Sequence, residues 1–545
     1  MSDLLHIQNL SVAFQSKNSM VLAIEDLSLS LKHNQTIAII GESGSGKSIT
    51  ALAVLGLLPP NAKISGKIIF TPNQGQPTNL SSIDKKVLIN TRGKKIAMIF
   101  QEPLTALNPL LTCGKQLTAV IRQHLQLTKV EAKKKALDLF EKVELPHPKE
   151  LFNKYPHQLS GGQRQRVMIA MAISCNPDLL IADEPTTALD SKVQFGIMML
   201  LKKLQNESQM GIIFITHDLG LVNHFADEII IMKSGKMVEK GTIHQVFHHP
   251  KNEYTKKLLD CRITAKPKIQ NSKDIFASPN TIPVFSVDNL SVAYPLNVNF
   301  WGKIKSLRTA VDGVSFEVKS NEILGIVGES GSGKSTIAKC VVGLTQPTKG
   351  KLFFNGFSLK DVSSSIKRKI QMVFQDPYSS LQPKLTIGDA IIEAMKVNGI
   401  GSNQRERMEK TNLLLSMVGL PNEFQQKFPH ECSGGQRQRI VLARALAVEP
   451  EFLVFDESIS ALDAPIQRQI LDLILQLKNK LNFSTIFISH DLVAVHHLCD
   501  RILVLREGKI VECDKADKIF FHPKDTYTKS LIEAIPNTVQ EMNSN

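Results

Sequence analysis

Apolar residues in this chain gather into short unbroken runs, and the same kinds of run come round twice. TIAII (Thr36–Ile40) and ILGIV (Ile323–Val327) are rich in β-branched residues, and each ends at a glycine loop that opens a helix near a lysine. LLIADE and FLVFDE, then GIIFITHD and STIFISHD, are further runs of this kind that finish in charged residues. Continuous rather than alternating apolar runs predict strands buried on both faces. Strands of that kind alternating with helices predict a largely parallel α/β sheet, with ligand at the carboxyl ends of the strands. No apolar run approaches the ~18–20 residues that a membrane-spanning helix needs. Met1–Phe14 has neither the basic start nor the apolar core of a signal peptide. The expectation is a protein that neither spans a membrane nor is exported by that route.

The glycine loop has the sequence GESGSGKS in both copies, at Gly41–Ser48 and Gly328–Ser335. The pattern G-x-x-x-x-G-K-[ST] cradles phosphates. Gly41, Ser43, Gly44 and Gly46, with Gly328, Ser330, Gly331 and Gly333, form the two cradles. Lys47 and Lys334 reach the β- and γ-phosphates, while Ser48 and Ser335 offer hydroxyls to Mg²⁺. The two copies are in register over most of the chain. Lys47 to Lys334 is 287 residues and Gln101 to Gln375 is 274, whereas Ser160 to Ser433, Asp183 to Asp456 and His217 to His490 are each 273. The endings HPKNEYTKKLL from His249 and HPKDTYTKSLI from His522 repeat at 273 as well. The surplus of the first half falls around Thr71–Gly93, a polar Gly/Pro-containing stretch that reads as a surface loop. One domain has been duplicated and fused: 1–262, a proline-broken linker at 263–283, a second copy at 284–536 and a tail at 537–545. Leu296–Arg308 reads as a second irregular stretch, and its Trp301 is either a buried anchor or part of a loop near a partner.

Composition changes this picture little. With 42% apolar, 21% charged and 6% aromatic residues the 545-residue chain is an ordinary globular protein. Its net charge of +14 is scattered in short clusters without interleaved aromatics, so it reads as a solvated surface rather than a nucleic-acid face. Seven dispersed cysteines without C-x-x-C spacing read as reduced thiols.

Asp183 with Glu184, and Asp456 with Glu457, end apolar strands. Downstream of a phosphate loop, such an aspartate holds Mg²⁺ and the following glutamate orients or deprotonates water. LSGGQRQR (Leu159–Arg166) and CSGGQRQR (Cys432–Arg439) open helices with a hydroxyl and unpaired N–H groups, a setting that suits an anion. Each signature serine lies 23 residues before its strand aspartate.

With these motifs in order, nearly the whole chain resembles the ATP-binding-cassette ATPases. The resemblance implies two tandem P-loop domains, each a RecA-like, mostly parallel core with an antiparallel β subdomain and a helical subdomain. It makes Gln101 and Gln375 the Q-loop residues that approach ATP and Mg²⁺, Ala188–Asp190 and Ala461–Asp463 the D-loops, and His217 and His490 the switch histidines at the γ-phosphate. Phe14 and Tyr294 match the aromatic that stacks on adenine. Ser160, Gly162 and Gln163, and Ser433, Gly435 and Gln436, become the signature contacts. In this family the cassettes dimerise head to tail, so each ATP lies between one P-loop and the other half's signature. The catalytic set implied is Glu184, His217, Glu457 and His490, which gives two hydrolytic sites. Cys432 replaces the usual leucine or phenylalanine of the signature, with a mild expected effect. DESISALD replaces DEPTSALD, which is expected to loosen the loop behind Glu457.

The flanks of both Q-loops and the HP-x-x-x-YT endings resemble the fused two-cassette ATPases of dipeptide, oligopeptide or microcin C-type importers. That resemblance implies two transmembrane permease subunits, an extracytoplasmic solute-binding protein and a place on the cytoplasmic face of the inner membrane. Some relatives hold an iron–sulfur cluster in a C-terminal cysteine cluster, and no cysteine follows Cys513 here, so none is expected. A soluble two-cassette translation factor on the ribosome and a sugar-importer ATPase are the alternatives. The short, proline-broken linker counts against the first, and the intact second motif set against the other.

Overall fold

Thr36–Gly41 is buried along its whole length, as its unbroken apolar sequence requires. Ile37 and Ile39 pack into one core cluster and Ala38 and Ile40 into another, so a single strand serves two cores. The computed structural model describes residues 3–15, 19–187, 189–261, 282–298, 304–459 and 462–535. The linker (all but its last two residues), the tail, Trp301, Ala188 and Ala461 lie outside them. The chain divides chiefly into two compact units, Met1–Arg262 and Ile263–Thr538.

In the first unit, Thr36–Gly41 sits inside a six-stranded sheet with the order Lys236–Thr242, Glu228–Lys233, Thr36–Gly41, Gly211–Thr216, Leu179–Asp183, Ile96–Ile99. All neighbours run parallel except the first pair. One face packs on helices, including Cys113–Leu125, Lys129–Lys142 and Gly161–Ile173. The other face packs on a four-stranded antiparallel sheet of Met20–Leu31, Leu5–Gln15, Ala62–Phe70 and Thr78–Asn79. Leu5, Ile7, Leu10 and Val12 are fully buried beneath it. Each such side chain contributes ~1.5–3 kcal/mol.

The second unit repeats the plan around Ile323–Val327, with Leu324 and Ile326 on the antiparallel-sheet side and Ile323 and Val327 on the helical side. An aspartate fixes the start of each central strand. Asp227 accepts the N–H of Thr36 at 2.7 Å, and Asp500 that of Ile323 at 2.8 Å. No described helix is long and apolar enough to cross a membrane.

Two expectations need correction. Within Thr71–Gly93 the chain forms a short strand, Thr78–Asn79, and a helix, Lys85–Thr91, rather than a loop. Asp84 caps that helix, Leu88 is buried against the core, and the Arg92 guanidinium donates to the carbonyls of Leu55 and Gly56. One buried leucine with one arginine gives too little periodicity to be seen in a polar stretch. The described parts of Leu296–Arg308 are not irregular either, while 299–303, with Trp301, lie outside the described residues. Phe285–Val298 and Ile304–Val318 form one long antiparallel pair that runs from Phe285↔Val318 out to Val298↔Ile304.

Candidate functional site

The site of the first unit grows out of the carboxyl ends of three parallel strands. Thr36–Gly41 runs into the glycine loop, and the helix Lys47–Val54 begins at its end. A side chain at Gly41 would strike the Met232 carbonyl at 2.2 Å, so the loop lies flat on the neighbouring strand. Gly46 has φ 100° and sits against the Ala23 carbonyl, a conformation and a space only glycine accepts. A Cβ built on Gly44 meets nothing within 4 Å, which leaves the mouth of the loop open. Lys47 is 6% exposed, and its ammonium donates to the carbonyls of Gly41 at 2.7 Å and Glu42 at 2.9 Å. A cation and the positive end of a helix thus face one opening, and that arrangement suits an anion.

Leu179–Asp183 brings the acids to this opening. The Ser48 hydroxyl donates to Asp183 Oδ1 at 3.1 Å. Glu184 then leaves the strand with φ 46°, left-handed backbone for a residue with a side chain, and its N–H is held by the Ile215 carbonyl at 2.9 Å. Such a conformation costs ~1–3 kcal/mol. It aims the Glu184 carboxylate at residues from two other strands. Gln101 Nε2 lies 2.9 Å from Glu184 Oε2 and His217 Nδ1 lies 3.2 Å from it, and the Thr187 hydroxyl donates to it at 2.9 Å.

Burial would raise the Glu184 pKa, but the hydrogen bond and charge of His217, then Thr187 and Lys47, outweigh it and hold it at about 2. Burial pushes Asp183 the other way. The Ser48 hydroxyl opposes the rise and the Glu184 charge adds to it.

The second unit repeats the lysine, serine, acids, glutamine and histidine of this set. Lys334 donates to the carbonyls of Gly328 and Glu329 at 2.7 and 2.9 Å, and Ser335 to Asp456 at 3.0 Å. Gly333 has φ 108° and Gly331 faces open space. Gln375 Nε2 lies 3.0 Å from Glu457 Oε2, His490 Nδ1 3.9 Å from Oε1 and Lys334 4.0 Å from Oε1. Burial again works against a net lowering of Glu457, which comes from His490 first and then Lys334; Asp456 is raised.

With Ser458 and Ile459 following it, Glu457 itself keeps the same turn, while Ser460 and Ala461 lie outside the described residues. Glu457 has φ 45° and its N–H meets the Ile488 carbonyl at 2.9 Å, as Glu184 does in the first unit. Ile459 is buried in the core, but the buried Ser458 hydroxyl has no hydrogen-bond partner among the described residues. Ser458→Ala should therefore stabilise the second unit by ~1 kcal/mol, seen as a higher urea midpoint at unchanged slope. A lower midpoint would show that the hydroxyl has a partner.

The signature residues are built separately from this set. Ser160 caps Gly161–Ile173 in a reciprocal box with Gln163, and Ser433 does the same with Gln436 for Gly434–Leu446. Both serines are exposed. Gly162 and Gly435 are required by packing, since a Cβ would meet Val193 at 2.6 Å and Ile466 at 2.4 Å. Cys432 packs as a small apolar group in the core. Phe14 is half-buried against the first unit's core, whereas Tyr294 is 39% exposed. Ser43 and Ser330 lie in the loops themselves. Thr187 is the residue that motif reading missed. Its position beside the D-loop was visible, but its aim at Glu184 depends on the left-handed turn.

The family model described as ABC transporter matches 24–187 and 311–460, and the one described as oligopeptide/dipeptide transporter, C-terminal region, matches 238–283 and 511–544. The glutathione import ATP-binding protein GsiA of Escherichia coli O157:H7 is 41% identical over 563 residues, covering 98% of this chain and 90% of the relative. The protein of the same name from Salmonella choleraesuis is 39% identical over 564 residues, with the same coverage. A solved cassette, MJ0796, in a dimeric post-hydrolysis state bound to ADP and Pi, is 31% identical over 44% of this chain and 98% of its own, with a TM-score of 0.40. Two complete motif sets on two copies of one fold, matched along nearly their whole length, place this chain in the ABC transporter family, as a two-cassette ATPase that binds and hydrolyses ATP.

Proposed function

We propose that the chain is the energy-coupling subunit of an importer for peptides or peptide-like solutes, with both cassettes hydrolytic. The observation that carries this reading is the twofold match to the oligopeptide/dipeptide C-terminal region, together with 41% identity to a glutathione import ATP-binding protein, glutathione being itself a small peptide. Two permease subunits and an extracytoplasmic binding protein would complete the system at the cytoplasmic face of the membrane.

In this reading the open loops at Gly41–Ser48 and Gly328–Ser335 take the triphosphates, and Phe14 and Tyr294 take the adenines. Ser160 and Ser433, each an exposed helix cap, are the signature serines that would meet a nucleotide phosphate. Mg²⁺ fits the donors present. A hydroxyl and one carboxylate, Ser48 with Asp183 or Ser335 with Asp456, form the sparse oxygen set that this ion takes together with phosphate and water. A cation would also offset what raises both aspartates. Gln101 and Gln375 stand next to that position.

Glu184 and Glu457 orient the attacking water. Without substrate, Glu184 is a poor proton acceptor because His217 and Lys47 depress its pKa. A γ-phosphate would draw those cations toward itself, and the carboxylate would then gain basicity when there is a substrate to attack. His217 and His490 thus link the phosphate to the base.

Purification of the tagged chain from detergent-solubilised membranes tests the transport reading. Two integral-membrane permeases should accompany it in stoichiometric amounts. Recovery with ribosomes instead would replace this reading with the translation-factor one.

A further inference from the structure

The segment HP-x-x-x-YT that closes each half is more than a family marker in the second unit, because it reaches the phosphate loop. The Glu512 carboxylate accepts the N–H groups of Lys524 at 3.0 Å and Asp525 at 3.2 Å, which clasps the segment to the strand Lys509–Lys515. Asp525 in turn caps the helix Thr526–Glu533 by accepting the Tyr527 N–H at 2.7 Å. Leu531 and Ile532 anchor that helix in the core. Tyr527 is 5% exposed, with the Arg506 guanidinium 5.0 Å from its ring centre. Its hydroxyl accepts the backbone N–H of Glu329 at 3.0 Å, across 198 residues of sequence.

Glu329 is the second residue of the loop, and its own carbonyl is one of the two that hold the Lys334 ammonium. The tyrosine therefore grips one side of Glu329 while the lysine hangs from the other. The first unit repeats the clasp. Glu239 accepts the N–H groups of Lys251 and Asn252, Asn252 caps Tyr254, and Lys233 lies 4.6 Å from the Tyr254 ring centre.

We infer that Tyr527 is a positioning residue for the second nucleotide site, one that sets the Lys334 ammonium through Glu329 and so couples the C-terminal region to triphosphate binding. This rests on the reading that Gly328–Ser335 holds the triphosphate. The side chain of Tyr527 need not touch the nucleotide. Its removal loosens the carbonyl that aims the lysine at the β- and γ-phosphates, so the loss falls on ATP and spares AMP.

The test uses the full chain with Lys47→Ala, which confines tight binding to the second loop, and equilibrium dialysis against ATP and AMP. Tyr527→Phe keeps the ring under Arg506 and should weaken ATP binding about tenfold with AMP unchanged within twofold. Glu512→Gln, which loosens the clasp but leaves the tyrosine, should shift ATP affinity in the same direction by less. A lowered melting temperature with ATP affinity unchanged in both variants would reduce Tyr527 to a structural residue and overturn the inference. Lys334→Ala in the same background is the separate control. If ATP binding survives that change, the reading of the loop itself fails, whatever Tyr527 does.

Discussion

Replacing both strand-end glutamates, Glu184→Gln together with Glu457→Gln, should lower steady-state ATP turnover by ~10²–10⁴-fold while ATP still binds. Glutamine has the shape of glutamate, and its carbonyl oxygen can still accept from Gln101 and from the Thr187 hydroxyl, so the turn and its contacts persist. What disappears is the negative charge that orients and activates water. The single variants divide the effect between the sites, and each should lower turnover by itself. If Glu184→Gln alone abolished hydrolysis and Glu457→Gln left it untouched, the second site would be a binding site only.

The same charge has a consequence for acid stability. Glu184 is held at about 2, against 4.5 for a free glutamate. Its folded pKa is depressed, so its contribution is complete above pH 4.5 and is lost as pH falls toward 2.

The other large effect belongs to the lysines. Lys47→Ala with Lys334→Ala should weaken ATP binding by at least ~100-fold, measured by equilibrium dialysis on protein shown by circular dichroism to be folded. Each ammonium is almost fully buried and held by two loop carbonyls at 2.7 and 2.9 Å. The entropy of ordering that side chain is therefore spent before any phosphate arrives. Charge-assisted bonds from a preorganised ammonium are worth ~1.5–3 kcal/mol each, and two of them correspond to roughly two to four decades of affinity. An affinity within threefold of the parent protein would mean that these loops are not where the triphosphate is held.

The sequence by itself determined the pieces whose physics is local. An unbroken β-branched run makes a strand buried on both faces, as at Thr36–Gly41. The run G-x-x-x-x-G-K-S makes the phosphate loop, with Gly46 at φ 100° just before the lysine. The spacing of Lys47, Asp183 and His217 from their partners made the duplication visible, because repeated motifs need only be read along the chain. Other features were decided by the tertiary structure. Thr187 meets Glu184 only because the glutamate is held left-handed by a carbonyl from the next strand. The pairing out to Val298↔Ile304 depends on a register set across two strands, and Leu88 finds its core through a helix that a polar stretch conceals. Tyr527 reaches Glu329 because the sheet brings together residues 198 apart in sequence. Periodicity and turn chemistry act over a few residues and are written in order along the chain. Hydrogen bonds between distant segments are selected only when the whole core packs, and no local pattern records them.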